Sequence, residues 1–293
     1  MAGKNERQRR QAREKYRRQQ EQRQVRQRQV RQRWLIGLSG VLVLALVGSL
    51  LAVFLPSGKP KKPAAAASKS PSASATATPT ATAVAEPAHH CSYTSAAPAA
   101  KKVSLPPAAP DYTDSYQATI NTNQGKITFN LLNNKATCTV NSFVHLAQAG
   151  YFNNTQCHRV VTSGIYVLQC GDAYATAAAK LNCSATSKIG SGTPGYAFAN
   201  ENLKDAKYPA GTVAMANGGP NTNGSQFFIV YKDSTTGLNG SSGPAYTPFA
   251  TVSSGLGIVQ NVAKDGYSCQ YAQAGGGVPK KKVIIDSVTI KKT

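Results

Sequence analysis

The sequence predicts a mainly β domain, a closed eight-stranded antiparallel barrel with two helices, carried behind a single transmembrane helix and a disordered linker. Three observations lead there. From residue 111 onward, short segments alternate apolar and polar residues between Gly-, Asn- and Pro-containing turns, the texture of antiparallel strands with one buried face. Residues 35–55 run for 21 positions without a charge, which as a helix spans about 30 Å, the thickness of a bilayer core. Between the two, residues 56–110 are dominated by Ala, Pro, Ser and Thr and show no apolar period. Such a composition buries too little surface to offset the entropy of ordering the chain.

The elements follow in order. Of the 33 Lys+Arg residues, 13 fall in residues 1–33 against 3 acidic ones, so this Arg/Gln-rich tail is strongly basic. Clustered Arg also suits nucleic acid. The position directly before an apolar run points instead to membrane topology and to attraction toward an anionic membrane surface, and no nucleic acid is expected. Residues 34–55 form the anchor, with Trp34 at its charged end where an indole prefers the headgroup region. A cleaved signal peptide is the rival reading, but the apolar run is long and Pro56-Ser57-Gly58 is not a cleavage-type sequence. The expected localisation is therefore a single-pass cell-membrane protein with a cytoplasmic N-terminus and an extracytoplasmic domain. Residues 56–110 form a tether whose coil dimension is roughly 40 Å, leaving residues 111–293 as one domain of ordinary size.

Within that domain, SYQATINT and GKITFNLL read as a hairpin about an Asn-Gln-Gly turn. Residues 139–150 carry Val140, Phe143, Val144, Leu146 and Ala147 near helical spacing, with Gly150 as a stop. HRVV, IYVLQCGD, GYAFANE, GTVAMAN, QFFIVY and PFATVSS read as further strands, residues 256–263 as a second helix and residues 282–291 as a last strand. This pattern is that of a closed barrel.

All six Cys (Cys91, Cys138, Cys157, Cys170, Cys183 and Cys269) follow the apolar run, which suggests disulfides in an oxidising compartment. His89-His90-Cys91 resembles a metal cluster only superficially, because no second ligand pair stands at a suitable spacing. No metal is expected.

NSFVHLAQAGYFNNTQCHRVV, YVLQCGD and GTVAMANGGPNTNGSQFFIVY, in that order, resemble the signature segments of the cyclophilin-type peptidyl-prolyl cis-trans isomerases, most closely bacterial membrane-tethered members. The resemblance spans residues 115–291 and implies an eight-stranded barrel with two capping helices. It further implies acceleration of X-Pro isomerisation in extracytoplasmic proteins by a monomeric domain whose partners are Pro-containing polypeptides. The amide C–N bond rotates over a barrier of about 18–20 kcal/mol. Lowering it takes an apolar slot for the ring, a donor toward the prolyl nitrogen and hydrogen bonds that hold one side. No cofactor is needed. A Pro-peptide-binding module with little turnover is the alternative, and a functional role centred on the basic tail is a third reading.

By resemblance Arg159, the sole Arg after the apolar run, is the catalytic arginine, Gln169 orders the substrate or its water, and Phe228 floors the proline pocket. Tyr166, Val167 and Leu238 are expected as its walls, Ala216 and Asn217 as the segment binding the peptide N-terminal to proline, with Gln226 and Tyr246 on the same groove. His145 and His158 read as structural. The chain departs from the family's pattern in four places. Two extra residues lie between Arg159 and Tyr166, Cys170 replaces a Gly, no Trp precedes Leu238, and Tyr246 replaces a His. The last two imply weaker cyclosporin binding. Placement in the family's barrel makes Cys138–Cys157 the expected disulfide, with Cys170–Cys183 and Cys91–Cys269 as further candidates.

Overall fold

The computed structural model describes residues 89–241, 243–272 and 275–293. The basic tail at 1–33, the anchor at 34–55 and the linker as far as residue 88 lie outside the described residues. Among the described residues no helix is long and apolar enough to cross a membrane.

The described chain is mainly β. Its strands are β1 (Thr94–Ser95), β2 (Tyr116–Thr122), β3 (Gly125–Leu131), β4 (Thr155–Gln156), β5 (Arg159–Ser163), β6 (Ile165–Cys170), β7 (Tyr196–Ala197), β8 (Thr212–Met215), β9 (Phe227–Val230), β10 (Pro248–Ser254), β11 (Tyr267–Gln270), β12 (Gly277–Pro279) and β13 (Ile284–Lys292). Its helices are α1 (Thr137–Gln148), α2 (Thr235–Asn239) and α3 (Leu256–Lys264). Eleven strands form one sheet in the order β11-β12-β5-β6-β9-β8-β10-β3-β2-β13-β4, and β1 pairs with β7 alone. In these pairs the ladder is open, with β11 and β4 at its ends, where a closed eight-stranded barrel is the sequence expectation. β4 and β5 are separated in the chain only by Cys157 and His158.

The β2–β3 hairpin shows how local sequence sets the register. Tyr116, Ala118 and Ile120 on one strand and Ile127, Phe129 and Leu131 on the other are buried at period two, and a one-residue slip would turn both sets to water. Thr122 Oγ1 accepts from Gln124 N at 3.1 Å and closes the turn. In α1, Val140, Phe143, Leu146 and Ala147 are buried. Its N-cap position, Ala136, has no side-chain acceptor to offer. Glu201 supplies the missing acceptor from 62 residues away, receiving Cys138 N at 3.0 Å and Thr139 N at 2.7 Å, where a carboxylate is favoured by the exposed N–H groups of a helix start. The main core gathers Phe129, Phe143, Phe152, Phe227 and Phe249 with the aliphatic residues around them.

Three expectations need correction. The linker does not run to residue 110, because residues 91–110 form a strap fixed to the domain. Cys91 N donates to Ala108 O at 2.7 Å and Ala100 N to Thr193 O at 2.9 Å. The Tyr93 ring packs edge-on against Tyr196 and Phe198 at 5.4 and 5.7 Å. Small residues lie flat through main-chain hydrogen bonds, which composition does not signal. The disulfides are Cys91–Cys138, Cys157–Cys170 and Cys183–Cys269, so each expected pair, Cys138–Cys157 included, is wrong. Cys138 is taken by the strap, and Cys157, just ahead of β5, meets Cys170 at the end of the neighbouring β6. The GYAFANE strand shrinks to β7, because its partner is the strap's β1. The five-residue α2 was invisible to helical periodicity.

Removing the strap's aromatic anchor with Tyr93→Ala is expected to cost about 2 kcal/mol, lowering the thermal midpoint by about 4–8 °C. Calorimetric unfolding of the full chain checks this, and an unchanged midpoint would show the strap to be energetically idle.

Candidate active site

The site grows from one hairpin. β5 and β6 pair with Arg159 opposite Gln169 and Val161 opposite Val167, and β6 pairs with β9 so that Gln169 meets Phe228. Strand alternation then sorts the side chains. Val160, Leu168, Phe227 and Ile229 enter the main core, while Val161, Val167, Phe228 and Val230 form a second apolar cluster with Tyr208, Ala214 and Leu238. Both faces of the sheet are covered here, which explains why FFIV and TVAM are buried at every position rather than alternately.

A cavity of about 500 Å³ opens over the second cluster. Phe228 and Val167 give it an apolar floor, Ile165, Leu238, Ala216 and Tyr246 its sides, and Arg159, Gln169 and Asn217 a polar end. Phe228 is 4% exposed and meets the Tyr246 ring edge-on at 5.5 Å. Tyr246 is held in turn by Tyr208, whose hydroxyl donates to Tyr246 O at 2.7 Å. Asn217 Nδ2 donates to Ala245 O at 2.9 Å, joining two sides of the opening. Leu238 comes from α2, whose N-cap position is Ser234; that residue's hydroxyl accepts Tyr166 N at 2.8 Å.

The polar end is a directed chain of donors. Arg159 Nε donates to Gly275 O and Nη1 to Gln169 Oε1, both at 2.9 Å. Gln169 Nε2 donates to Gln226 Oε1 at 2.9 Å, and Gln226 Nε2 to the carbonyls of Gly190 and Gly192 at 3.0 Å. Each side-chain amide is thereby oriented by its neighbour. No acidic side chain lines the cavity among the described residues, so the guanidinium is a half-buried cation facing an apolar slot. Burial lowers its pKa below the ordinary value, yet an Arg stays charged at neutral pH. The loop that receives Gln226 is pinned from behind by the buried Asp172, which accepts the N–H groups of Tyr174 at 2.7 Å and of Gly190. Burial raises the Asp172 pKa, opposed by those N–H donors. Gly192 has no room for a side chain, since a Cβ there would collide with the Asp172 carboxylate.

Of the expected site residues, Arg159, Val167, Gln169, Ala216, Asn217, Phe228, Leu238 and Tyr246 line this cavity. Gln226 lines an adjoining one. Tyr166 does not, because successive strand residues point to opposite faces; its ring lies edge-on to Tyr231 at 6.0 Å, under the Lys232 ammonium at 4.5 Å. Ile165 takes the expected wall position, as period two from Val167 would have indicated. Tyr271, which donates to His158 O at 3.1 Å, and the 189–191 loop also line the cavity, and no local sequence pattern marks them. Two of the departures meet in space. A Cβ on Gly237, directly before Leu238, would strike Gly164 and Ile165, so the longer β5–β6 turn occupies the room that a large side chain before Leu238 would use.

His158 is buried and neutral. Burial first, then the neighbouring Arg159 charge, push its pKa down to about 3. An unfolded His takes up its proton near pH 6.5, so between about pH 6.5 and 3 the unfolded chain binds more protons at this position and stability falls as the solution is acidified. Asp172, with its pKa raised, works in the opposite sense. His158→Gln is expected to flatten the decline in unfolding free energy between pH 7 and 4, measured by denaturant titration. Parallel profiles for the two proteins would contradict this assignment.

Residues 117–290 match the family described as "Cyclophilin type peptidyl-prolyl cis-trans isomerase/CLD". A Mycobacterium tuberculosis protein named "Probable peptidyl-prolyl cis-trans isomerase B" is 42% identical over 221 residues, covering 69% of this chain and 64% of its own length. A protein of the same name from Mycobacterium leprae is 41% identical over 220 residues, with 69% and 66% covered. The chain thus spans just under two thirds of the length of these curated relatives. The crystal structure of a Cryptosporidium parvum cyclophilin type peptidyl-prolyl cis-trans isomerase aligns at a TM-score of 0.47 and 27% identity, over 61% of this chain and 99% of that one. The family match takes in more than half of the sequence and every cavity residue named above, and the chain belongs to the cyclophilin-type peptidyl-prolyl cis-trans isomerases.

Proposed function

We propose that the chain accelerates cis-trans isomerisation of X-Pro bonds in extracytoplasmic polypeptides. The observation that carries this reading is the Arg159–Gln169–Gln226 donor chain set at the polar end of the cavity floored by Phe228. A proline ring seated on Phe228 brings its nitrogen toward the guanidinium. As the C–N bond twists, the nitrogen lone pair leaves conjugation and becomes a better acceptor, so a donor aimed there stabilises the twisted state more than either planar isomer. Each tenfold gain in rate needs about 1.4 kcal/mol of such selective stabilisation. Gln169 and the Ala216–Asn217 segment hold the chain N-terminal to the proline, so that the rotation is taken up on the other side of the bond. No proton is transferred, so the rotation calls on no titrating side chain.

Three features support the finer reading. Among the described residues no cysteine is free, which suits an oxidising compartment. The 35–55 apolar run and the basic tail before it suit a single-pass anchor with the domain outside and the tail on anionic lipid. The unbroken run from β4, paired with β13, into β5, paired with β6, supports a barrel that closes through residues 155–163; counted once, that run brings the strands around it to eight.

In a protease-free assay on a Pro-containing peptide, the full chain is expected to accelerate exchange, and Arg159→Ala to lower kcat/KM at least tenfold with an unchanged thermal midpoint. Peptide binding by the wild type with no acceleration would favour the binding-module alternative. For localisation, protease added to intact cells should remove the folded domain and spare the N-terminal tail; protection of the domain would overturn the topology.

A further inference from the structure

We propose that the Cys183–Cys269 disulfide positions Arg159, by joining the two loops that hold opposite ends of its hydrogen-bond chain. This rests on the reading of Arg159 as the donor toward the prolyl nitrogen. The chain runs from Gly275 O through Arg159, Gln169 and Gln226 to the carbonyls of Gly190 and Gly192. Strand register fixes Arg159 opposite Gln169, but the carbonyls at the two ends lie outside the strands. Gly275 belongs to the connection between β11 and β12, and Gly190 and Gly192 to the long segment between β6 and β7. Cys269 lies in β11, six positions before Gly275, and Cys183 stands seven positions before Gly190. The bond between them turns the open chain of donors into a ring, closed in part by covalent bonds and in part by hydrogen bonds.

Both loops stand where such a tie has an effect. β11 is the end strand of the sheet and pairs with β12, which meets β5 through Gly277 and Val160. The other loop is held near its start by Gln156 Nε2, which donates to Ala179 O at 2.9 Å, and near its end by Asp172 at Gly190; the disulfide ties it between the two. Tyr271 from one loop and Ile189 from the other line the cavity, so the pair borders the cation from two sides. A guanidinium oriented by neutral carbonyls keeps its aim only while those carbonyls stay fixed. The apolar floor of Phe228 and Val167 belongs to β9 and β6, which the disulfide does not join, so opening the bond should cost turnover and spare peptide affinity. Cys183 and Cys269 are both partly exposed, whereas each of the other two disulfides includes a buried cysteine. This is therefore the bond that a soluble dithiol reaches most readily.

The test uses the full chain and a Pro-containing peptide. Cys183→Ser combined with Cys269→Ser is expected to lower kcat at least fivefold, with KM within twofold of the wild type. In an Arg159→Ala background the same two substitutions should lower kcat less than twofold, because the group they position is gone; a bond that only stabilises the fold would cost the same factor in both. An equal factor in both backgrounds, or a kcat within twofold of the wild type, overturns the proposal. Because removing a closure of 86 residues can unfold the chain, the wild type is also measured after brief treatment with a dithiol. The dithiol gives two electrons and two protons to the S–S bond and leaves as its own cyclic disulfide. At the concentration that opens only Cys183 and Cys269 to alkylation, deuterium exchange of the Arg159 Nε–H, followed by NMR, should become at least tenfold faster and return to its starting rate on reoxidation. Unchanged exchange overturns the proposal. Tenfold faster exchange in a chain that accelerates no isomerisation would uphold the positioning and remove the isomerase reading.

Discussion

Arg159 faces Gln169 across one antiparallel register, and the rest of the site depends on that pairing. Because strand residues alternate, fixing this pair also fixes Val161 and Val167 on the same face and sends Val160 and Leu168 to the other. The next pairing brings Phe228 beside Gln169. Guanidinium, side-chain amide and aromatic floor thus lie side by side in one row across three adjacent strands. The Cys157–Cys170 bond links the residues flanking this pair, so a slip of the register would have to break a covalent closure as well as bury the wrong face.

Electrostatics at the site follows from the acceptors that orient the cation. Among the described residues, the cavity holds one Arg and no carboxylate. The guanidinium's partners include a carbonyl and an amide oxygen, neutral acceptors that orient the group without cancelling its charge. The chain of amides through Gln226 ends on carbonyls of a loop that the buried Asp172 holds from behind. Orientation is thereby carried outward from the cation to rigid main chain, which is how a site avoids reorganising when charge shifts in the transition state.

Much of this was legible in the sequence, and where it was not there is a physical reason. Period-two burial in residues 116–131 and the apolar spacing of Val140, Phe143 and Leu146 are local signals, and both elements form where that spacing puts them. The motif segments led to eight of the ten expected residues that line the first cavity. Tyr166 falls outside the cavity because a motif match records position and ignores which face of a strand a residue takes; the alternation with Val167 and Gln169 points to Ile165, which lines it. Tyr271 and the 189–191 loop are brought in by long-range packing that leaves no local trace. The disulfides failed for a related reason. The strap, poor in large apolar residues, reads as linker, so nothing local places Cys91 beside Cys138. Glu201 capping α1 from across the fold was equally invisible, since capping by a distant side chain has no sequence spacing.

The central claim is that Arg159 acts through directed, planar hydrogen bonding and not through charge alone. Arg159→Lys keeps the cation and loses the fork that donates at once to Gly275 and Gln169. The most direct measurement is kcat/KM of this variant on a Pro-containing peptide, with the thermal midpoint taken alongside. The account predicts a loss of at least tenfold at an unchanged midpoint. Activity within about threefold of the wild type would contradict it and assign the effect to a simple positive charge.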